Sequence, residues 1–117
     1  QVPEFDAFFS AEAYYGTLLH ELVHWTGDTK RCDRNLKNSC GSKDYAREEL
    51  VAELGAAFLC GGLNIENEVR DDHVQYLASW LKVLKADKKA IFRAASAAQK
   101  AVDFLDDLQP AELEVAA

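Results

Sequence analysis

The sequence places two histidines four positions apart, His20 and His24, on either side of Glu21 within an apolar run. On an α-helix, residues four apart differ by about 40° in direction and about 6 Å in rise, so both imidazoles can bind one metal ion. This H-E-x-x-H pattern is typical of zinc hydrolases, in which the glutamate activates a water molecule. The alternative is a polar helix face that holds two histidines by chance. The helical apolar spacing around the pair and the helix stop at Gly27 favour the metal site.

The pair needs another protein ligand, because a catalytic zinc ion usually takes three. In the pattern H-E-x-x-H-x-x-G-x-x-H that ligand is a further histidine, but its position here is Lys30, whose protonated amine cannot bind a metal. The remaining route is a carboxylate from a second helix, which the segment EELVAE at residues 48–53 offers. Since neutral imidazoles are required, metal affinity is expected to fall below about pH 6.

Three acids of this segment, Glu48, Glu49 and Glu53, are candidates for the third ligand. Glu49 and Glu53 share a helix face with small residues, which favours a role at the metal over ion pairs on an exposed face. We predict Glu49 as the ligand and Glu53 as the carboxylate that accepts the free N–H of a ligating histidine. Glu48 points about 100° away from Glu49 and is expected to face solvent.

The apolar pattern predicts a mainly α domain of four helices, with little or no sheet. The first helix is expected to begin at an N-cap, Ser10. Its histidines are expected to face away from its apolar seam, which consists of Tyr14, Leu18, Leu22 and Trp25. The second helix is expected from about residue 43 to the glycine pair 61–62. The third begins near residue 72, and the alanine-rich fourth, suited to close helix packing, stops before Pro110.

Composition limits the partners of this segment. Its net charge is −7, from 20 acidic and 13 basic residues. This balance argues against direct nucleic-acid binding, which requires a surplus of lysine and arginine. No apolar run reaches the roughly 20 residues of a membrane span, and no signal-peptide pattern is present. The sequence therefore predicts a cytoplasmic protein without a membrane association.

The cysteines and the first residue add two further expectations. Three cysteines, an odd number, favour reduced thiols, although a loop disulfide or a second metal pair at Cys32 and Cys40 is the alternative. Their spacing is not the C-x-x-C of a structural zinc site. The chain begins with Gln1 rather than methionine, so we expect it to be part of a longer or processed protein.

Three segments carry a resemblance to a known family: AEAYYGTLLHELVHWTG, YAREELVAELGAAFLC and YLASWLKVLKADKKAIFRAASAAQKAVDFL, at residues 11–27, 45–60 and 76–105. They resemble the C-terminal zincin-like metallopeptidase domain of ArdC-type antirestriction proteins, which occur on conjugative plasmids, related mobile elements and phages. The resemblance runs from about residue 8 to residue 106. We therefore expect the domain to occupy residues 1–106 and a frayed tail to occupy 107–117.

The resemblance also implies a context for the domain. In that family an N-terminal domain binds single-stranded DNA, the metallopeptidase-like domain follows, and the protein is thought to protect incoming DNA from restriction. His20, Glu21, His24 and the acids of EELVAE match the family's pattern. The departures lie in the loop, where Cys32 and Cys40 replace expected apolar residues and Asp28 stands where a histidine is common.

Two functions are compatible with these features. The first is a zinc-dependent metallopeptidase acting on a protein or peptide, with Glu21 as the general base for a metal-activated water and His73 or Tyr76 as an oxyanion stabiliser. A lone inward histidine such as His73 is otherwise an ordinary core residue. The second is a catalytically silent, metal-stabilised binding module that docks a host protein such as a restriction subunit. The retained Glu21 favours the peptidase, because a structural site needs no base.

Overall fold

The computed structural model describes residues 1–34, 36, 42–66 and 71–110, with the side chains of 71–77 outside that description. After a short 3-10 helix at Phe5–Ala7 come α1 at Ala11–Trp25, α2 at Lys43–Leu63, α3 at Asp71–Ala86 and α4 at Ala90–Asp107. No strand occurs within these described ranges, so the predicted mainly α fold of four helices is confirmed. None of the described helices is long and apolar enough to cross a membrane.

Side-chain caps explain where the first two long helices begin. The hydroxyl of Ser10 accepts a hydrogen bond from the Ala13 amide at 3.0 Å, as the sequence predicts. Ser42 does the same for the Tyr45 amide at 3.1 Å. Each bond satisfies an amide that has no partner within its own helix.

The predicted end of α2, at the glycine pair 61–62, was wrong by one residue. The helix continues through the glycine pair 61–62 to Leu63 and closes at Asn64, whose φ of 60° is left-handed. The Asn64 amide donates to the Cys60 and Gly61 carbonyls. Asparagine tolerates this conformation better than most side chains. Asn64 therefore ends the helix, and the two glycines do not.

The central element is α2, which packs against α1, α4 and α3. Small side chains lie among the leucines and valines of this core and let the helix axes approach closely. The fully buried residues of the core include Val23, Ala52, Cys60, Ala98 and Ala101. The predicted role of the alanine-rich α4 in close packing is therefore confirmed. A smaller cluster joins α3 to the rest through Val83, Ala46 and Ala90.

The predicted seam of α1 was wrong, although one of its members, Leu22, is partly buried against the core. The buried face of this helix consists of Gly16, Leu19, His20 and Val23. Trp25, which the sequence placed in the seam, is 45% exposed and lies against Phe104 and Arg31. The reason is that α1 turns its histidine face toward the acids of α2, so Leu19 and Val23, the apolar neighbours of His20, enter the core with it.

Gly55 marks the closest approach of α1 and α2. A β-carbon at this position would lie 2.8 Å from Cγ2 of Val23, too close for carbon atoms without a shift. Val23 is fully buried and directly precedes His24, so the space left by Gly55 sets the distance between the histidines and the acids of α2.

We predict that Gly55→Ala lowers the free energy of unfolding by about 1–3 kcal/mol, because the added methyl overpacks a tight helix contact. Gly61→Ala on the same helix is the control. It meets no atom within 4 Å, and it should leave stability unchanged or raise it by up to about 1 kcal/mol. Urea unfolding followed by circular dichroism measures both. Equal stability of the two variants would show that the helices do not meet at Gly55.

Candidate metal centre

Three side chains from α1 and α2 converge on one point. The Nε2 atoms of His20 and His24 lie 3.0 Å apart. Oε2 of Glu49 lies 3.3 Å from Nε2 of His20, and its Oε1 lies 3.0 Å from Nε2 of His24. One potential ligand atom from each residue falls within 4.8 Å of the other two. The residues predicted as metal ligands are thus brought together by the fold.

The Nδ1 atom of each imidazole contacts a second carboxylate of α2. Nδ1 of His20 lies 2.5 Å from Oε1 of Glu53, the residue predicted for this position. Nδ1 of His24 lies 3.3 Å from Oε1 of Glu48. A carboxylate accepts a hydrogen bond from Nδ1–H, which leaves Nε2 as the nitrogen that faces Glu49.

The expectation that Glu48 faces solvent was wrong. Its side chain is 11% exposed and accepts hydrogen bonds from His24 and from the guanidinium of Arg34. A helical wheel gives the directions of Glu48 and Glu49 on α2, but it does not show where α1 packs. In the structure α1 lies so that His24 contacts Glu48 and His20 contacts Glu53. The sequence does not indicate a role for Arg34, because the residue belongs to a polar loop, where no periodic pattern distinguishes a buried arginine from exposed ones.

The carboxylates raise the pKa of both histidines. Burial acts to lower the pKa of His24, but hydrogen bonds with Glu48 and Glu49 outweigh it and raise the value from 6.5 to about 9. The pKa of His20 is also raised, since Glu49 and Glu53 outweigh its burial. Burial acts to raise the pKa of Glu49, but hydrogen bonds with His20 and His24 lower it to about 2. Without a metal ion, the site therefore binds a proton at neutral pH.

A cleft opens beside the converging ligands. It has a volume of about 270 Å³ and is lined by Glu21, His24, Leu36, Tyr45, Glu48 and Glu49. Glu21 is half-buried and lines this cleft together with His24 and Glu49. The side chains of His73 and Tyr76, predicted as oxyanion stabilisers, lie outside the described residues. Tyr45, which the sequence pattern does not indicate as a site residue, also lines this cleft.

The donor set fits a divalent metal ion. Two imidazole nitrogens and a carboxylate oxygen are the ligands of open, catalytic zinc sites, and the adjoining cleft leaves room for water or substrate. Within the described part of the chain, no other group of three histidine, cysteine or acidic side chains converges in this way. Among the described cysteines, neither Cys32 nor Cys60 forms a disulfide bond, and the Cys32 thiol lies 3.8 Å from the carbonyl oxygen of Lys100. Cys40 lies outside the described residues.

This chain is similar to known proteins over the region that contains the site. A sequence model of the zincin-like metallopeptidase family matches residues 1–97, which include the whole site. The chain belongs to the zincin-like metallopeptidase family. Two relatives of this zincin-like domain are the protein y4eC of Sinorhizobium fredii, 49% identical over 105 residues, and a DNA primase TraC of Escherichia coli, 45% identical over 104 residues. The matches cover 90% and 89% of this chain but only 34% and 10% of those proteins.

Solved structures of one antirestriction protein share the fold of this zincin-like domain. The Mn(II)-bound crystal structure of ArdC from plasmid R388 is 46% identical and superposes with a TM-score of 0.80 over 91% of this chain and 39% of that protein. Its metal-free structure is 45% identical, with a TM-score of 0.77 over 91% of this chain and 38% of that protein. The resemblance to ArdC-type antirestriction proteins inferred from the sequence is confirmed.

The raised histidine pKa values predict how metal affinity depends on pH. Because the pKa of His24 lies at about 9 rather than at 6.5, a metal ion must displace a proton at neutral pH. Apparent affinity should therefore rise with pH up to about 9 and level off above it. The slope should reach about tenfold per pH unit for each proton displaced. With ordinary imidazoles the affinity would instead level off above about pH 6.5.

Isothermal titration calorimetry with Zn²⁺, in two buffers of different ionisation enthalpy, counts the protons released. At neutral pH we expect about one or more per metal ion, decreasing toward zero as the pH passes about 9. Zinc binding without proton release at neutral pH would show that the pKa of His24 is not raised.

Proposed function

We propose that this domain binds a zinc ion through Nε2 of His20, Nε2 of His24 and the carboxylate of Glu49, and that it hydrolyses peptide bonds. The convergence of these three groups beside a cleft that contains Glu21 is the observation that carries the proposal. The Mn(II)-bound form of the similar ArdC protein supports a divalent ion in this fold. Zinc is proposed because two imidazoles and one carboxylate suit it.

The residues of the cleft divide the chemistry among them. When bound, the divalent ion lowers the pKa of a water molecule and polarises a substrate carbonyl. Glu21, half-buried on the cleft wall, accepts the proton of the attacking water and delivers it to the departing amine. Glu53 holds the His20 imidazole by its Nδ1 and keeps Nε2 directed at the site.

We further propose that residues 1–106 act as the metallopeptidase domain of a longer antirestriction protein. The match to the family over residues 1–97 and the similarity to ArdC support this assignment. The chain spans about a third of y4eC and less than half of ArdC, so further domains are expected to contribute to the whole protein's activity. Its substrate is proposed to be a protein of the host, in keeping with an antirestriction role.

We predict that Glu21→Gln abolishes hydrolysis but keeps zinc affinity, because it removes the base while preserving the shape of the side chain. Glu49→Ala should lose both, since only two histidines then remain. The zinc-loaded domain is incubated with a library of unstructured peptides, and mass spectrometry detects the cleavage products. Zinc affinity is measured in parallel by competition with a chromophoric chelator.

Glu12→Gln is the control, because this acid lies exposed on the first turn of α1, two turns from the site. It should behave as the wild type in both measurements. If the zinc-loaded wild type leaves the library and candidate host proteins intact, the domain is not a peptidase. It would then be a metal-stabilised binding module, the alternative function that the sequence allows.

A further inference from the structure

Arg34, in the segment that follows α1, makes a two-point contact with Glu48. Its Nε lies 3.0 Å from Oε2 of Glu48, and its Nη2 lies 2.9 Å from Oε1. The arginine side chain is 13% exposed and that of Glu48 is 11% exposed. Paired bonds of this kind are stronger and more directional than single ones, so Glu48 has little freedom to rotate.

The same guanidinium also binds the end of α1. Its Nη1 donates to Oγ1 of Thr26 at 3.0 Å, and its Nη2 donates to the carbonyl oxygen of Val23 at 2.6 Å. The Val23 carbonyl also accepts from the amide of Thr26 at 3.1 Å and from its hydroxyl at 2.5 Å, and a cation at the last turn of a helix is favourable. Arg34 thus connects the turn of α1 that carries His24 to the acid of α2 that contacts His24.

The backbone before Arg34 is fixed by its own hydrogen bonds. The amide of Arg34 donates to the Gly27 carbonyl at 2.9 Å, and that of Cys32 donates to the Thr26 carbonyl at 2.7 Å. Asp33 adopts a left-handed conformation with a φ of 51°. This turn directs the next side chain, that of Arg34, back toward the helices. Arg34 thus reaches Glu48 from a segment whose backbone is held by these hydrogen bonds.

We propose that Arg34 is a positioning residue of the metal centre, which fixes the His24 imidazole for metal binding by holding Glu48 against its Nδ1. This inference rests on the proposed function. Without the guanidinium, Glu48 can rotate away from Nδ1, and His24 then loses the bond that sets its tautomer and ring orientation. Because coupling between sites is reciprocal, metal bound at His24 also stabilises the Arg34 loop.

The test measures zinc affinity by competition with a chromophoric chelator. Arg34→Met should weaken binding by about 10–100-fold, as is typical when the partner of a ligating histidine is lost. Arg34→Lys should restore part of the affinity, because lysine keeps the charge but not the two-point geometry.

Arg31→Met is a matched control from the same loop. Arg31 also donates to a carbonyl in the last turn of α1, that of Trp25 at 2.7 Å, and stacks on the Trp25 ring at 3.9 Å. Among its described ion pairs, the partner is Asp28 rather than an acid of the site. The Arg31 variant should bind zinc as the wild type does. Equal losses in Arg31→Met and Arg34→Met would overturn the inference, because a general disturbance of the loop would then explain both.

A double-mutant cycle separates positioning from stability. Glu48→Gln should weaken zinc binding by a similar factor, and adding Arg34→Met to it should cost almost nothing more, since the two residues act through one contact. Independent, multiplying effects would reject the inference. Glu48→Met, whose side chain has no oxygen to accept from Nδ1 of His24 or from the guanidinium, keeps the test decisive if Arg34→Met does not fold: unchanged zinc affinity would overturn the inference. A wild type that binds no zinc would instead defeat the proposed function itself.

Hydrogen exchange provides a readout other than affinity. Zinc should slow exchange of the Cys32 and Arg34 amides in the wild type, and this added protection should disappear in Glu48→Gln. Protection that persists in Glu48→Gln would overturn the inference, because the segment would then respond to the metal by a route other than the Arg34–Glu48 contact.

Discussion

The close packing of α1 on α2 is the contact on which the rest of the site depends. Gly55 leaves no side chain where Val23 enters the interface, and Ala52, fully buried on the same helix, adds little bulk to the core. At this separation a glutamate of α2 can reach an imidazole of α1 without an intervening water. The residues that bring the helices together are thus apolar and small, whereas the residues that carry the chemistry alternate with them along the same two faces.

This packing places a costly group of charges in the interior, and the structure compensates them in pairs. Glu53 faces His20, Glu48 faces His24 and Arg34, and Glu49 lies between both imidazoles. Buried charges of this kind are weak contributors to stability, because desolvation offsets their attraction. Their arrangement is better explained by the binding of a divalent ion, which two directed imidazoles and an ionised carboxylate favour.

How much of this could be predicted from the sequence depends on how local each feature is. Helix starts at Ser10 and Ser42 follow from the chain itself, and the four-residue spacing of His20 and His24 is fixed by one helix. The position of Glu48 is not local, since it depends on the direction from which α1 approaches α2. Arg34 depends on the path of a loop that has no periodicity. Two roles stay predictions: that of Glu49 as a metal ligand, and that of Glu53 as the acceptor for the N–H of a ligating histidine. The structure places both acids against the histidines.

X-ray absorption spectroscopy of the zinc-loaded domain tests the central claim most directly, because it reports the atoms around the metal itself. We expect two imidazole signatures, oxygen or nitrogen donors at about 2.0–2.2 Å and no sulfur at about 2.3 Å. His24→Ala should remove one imidazole signature and leave the other. A sulfur shell, or the absence of imidazole in the wild type, would contradict a metal site built from His20, His24 and Glu49.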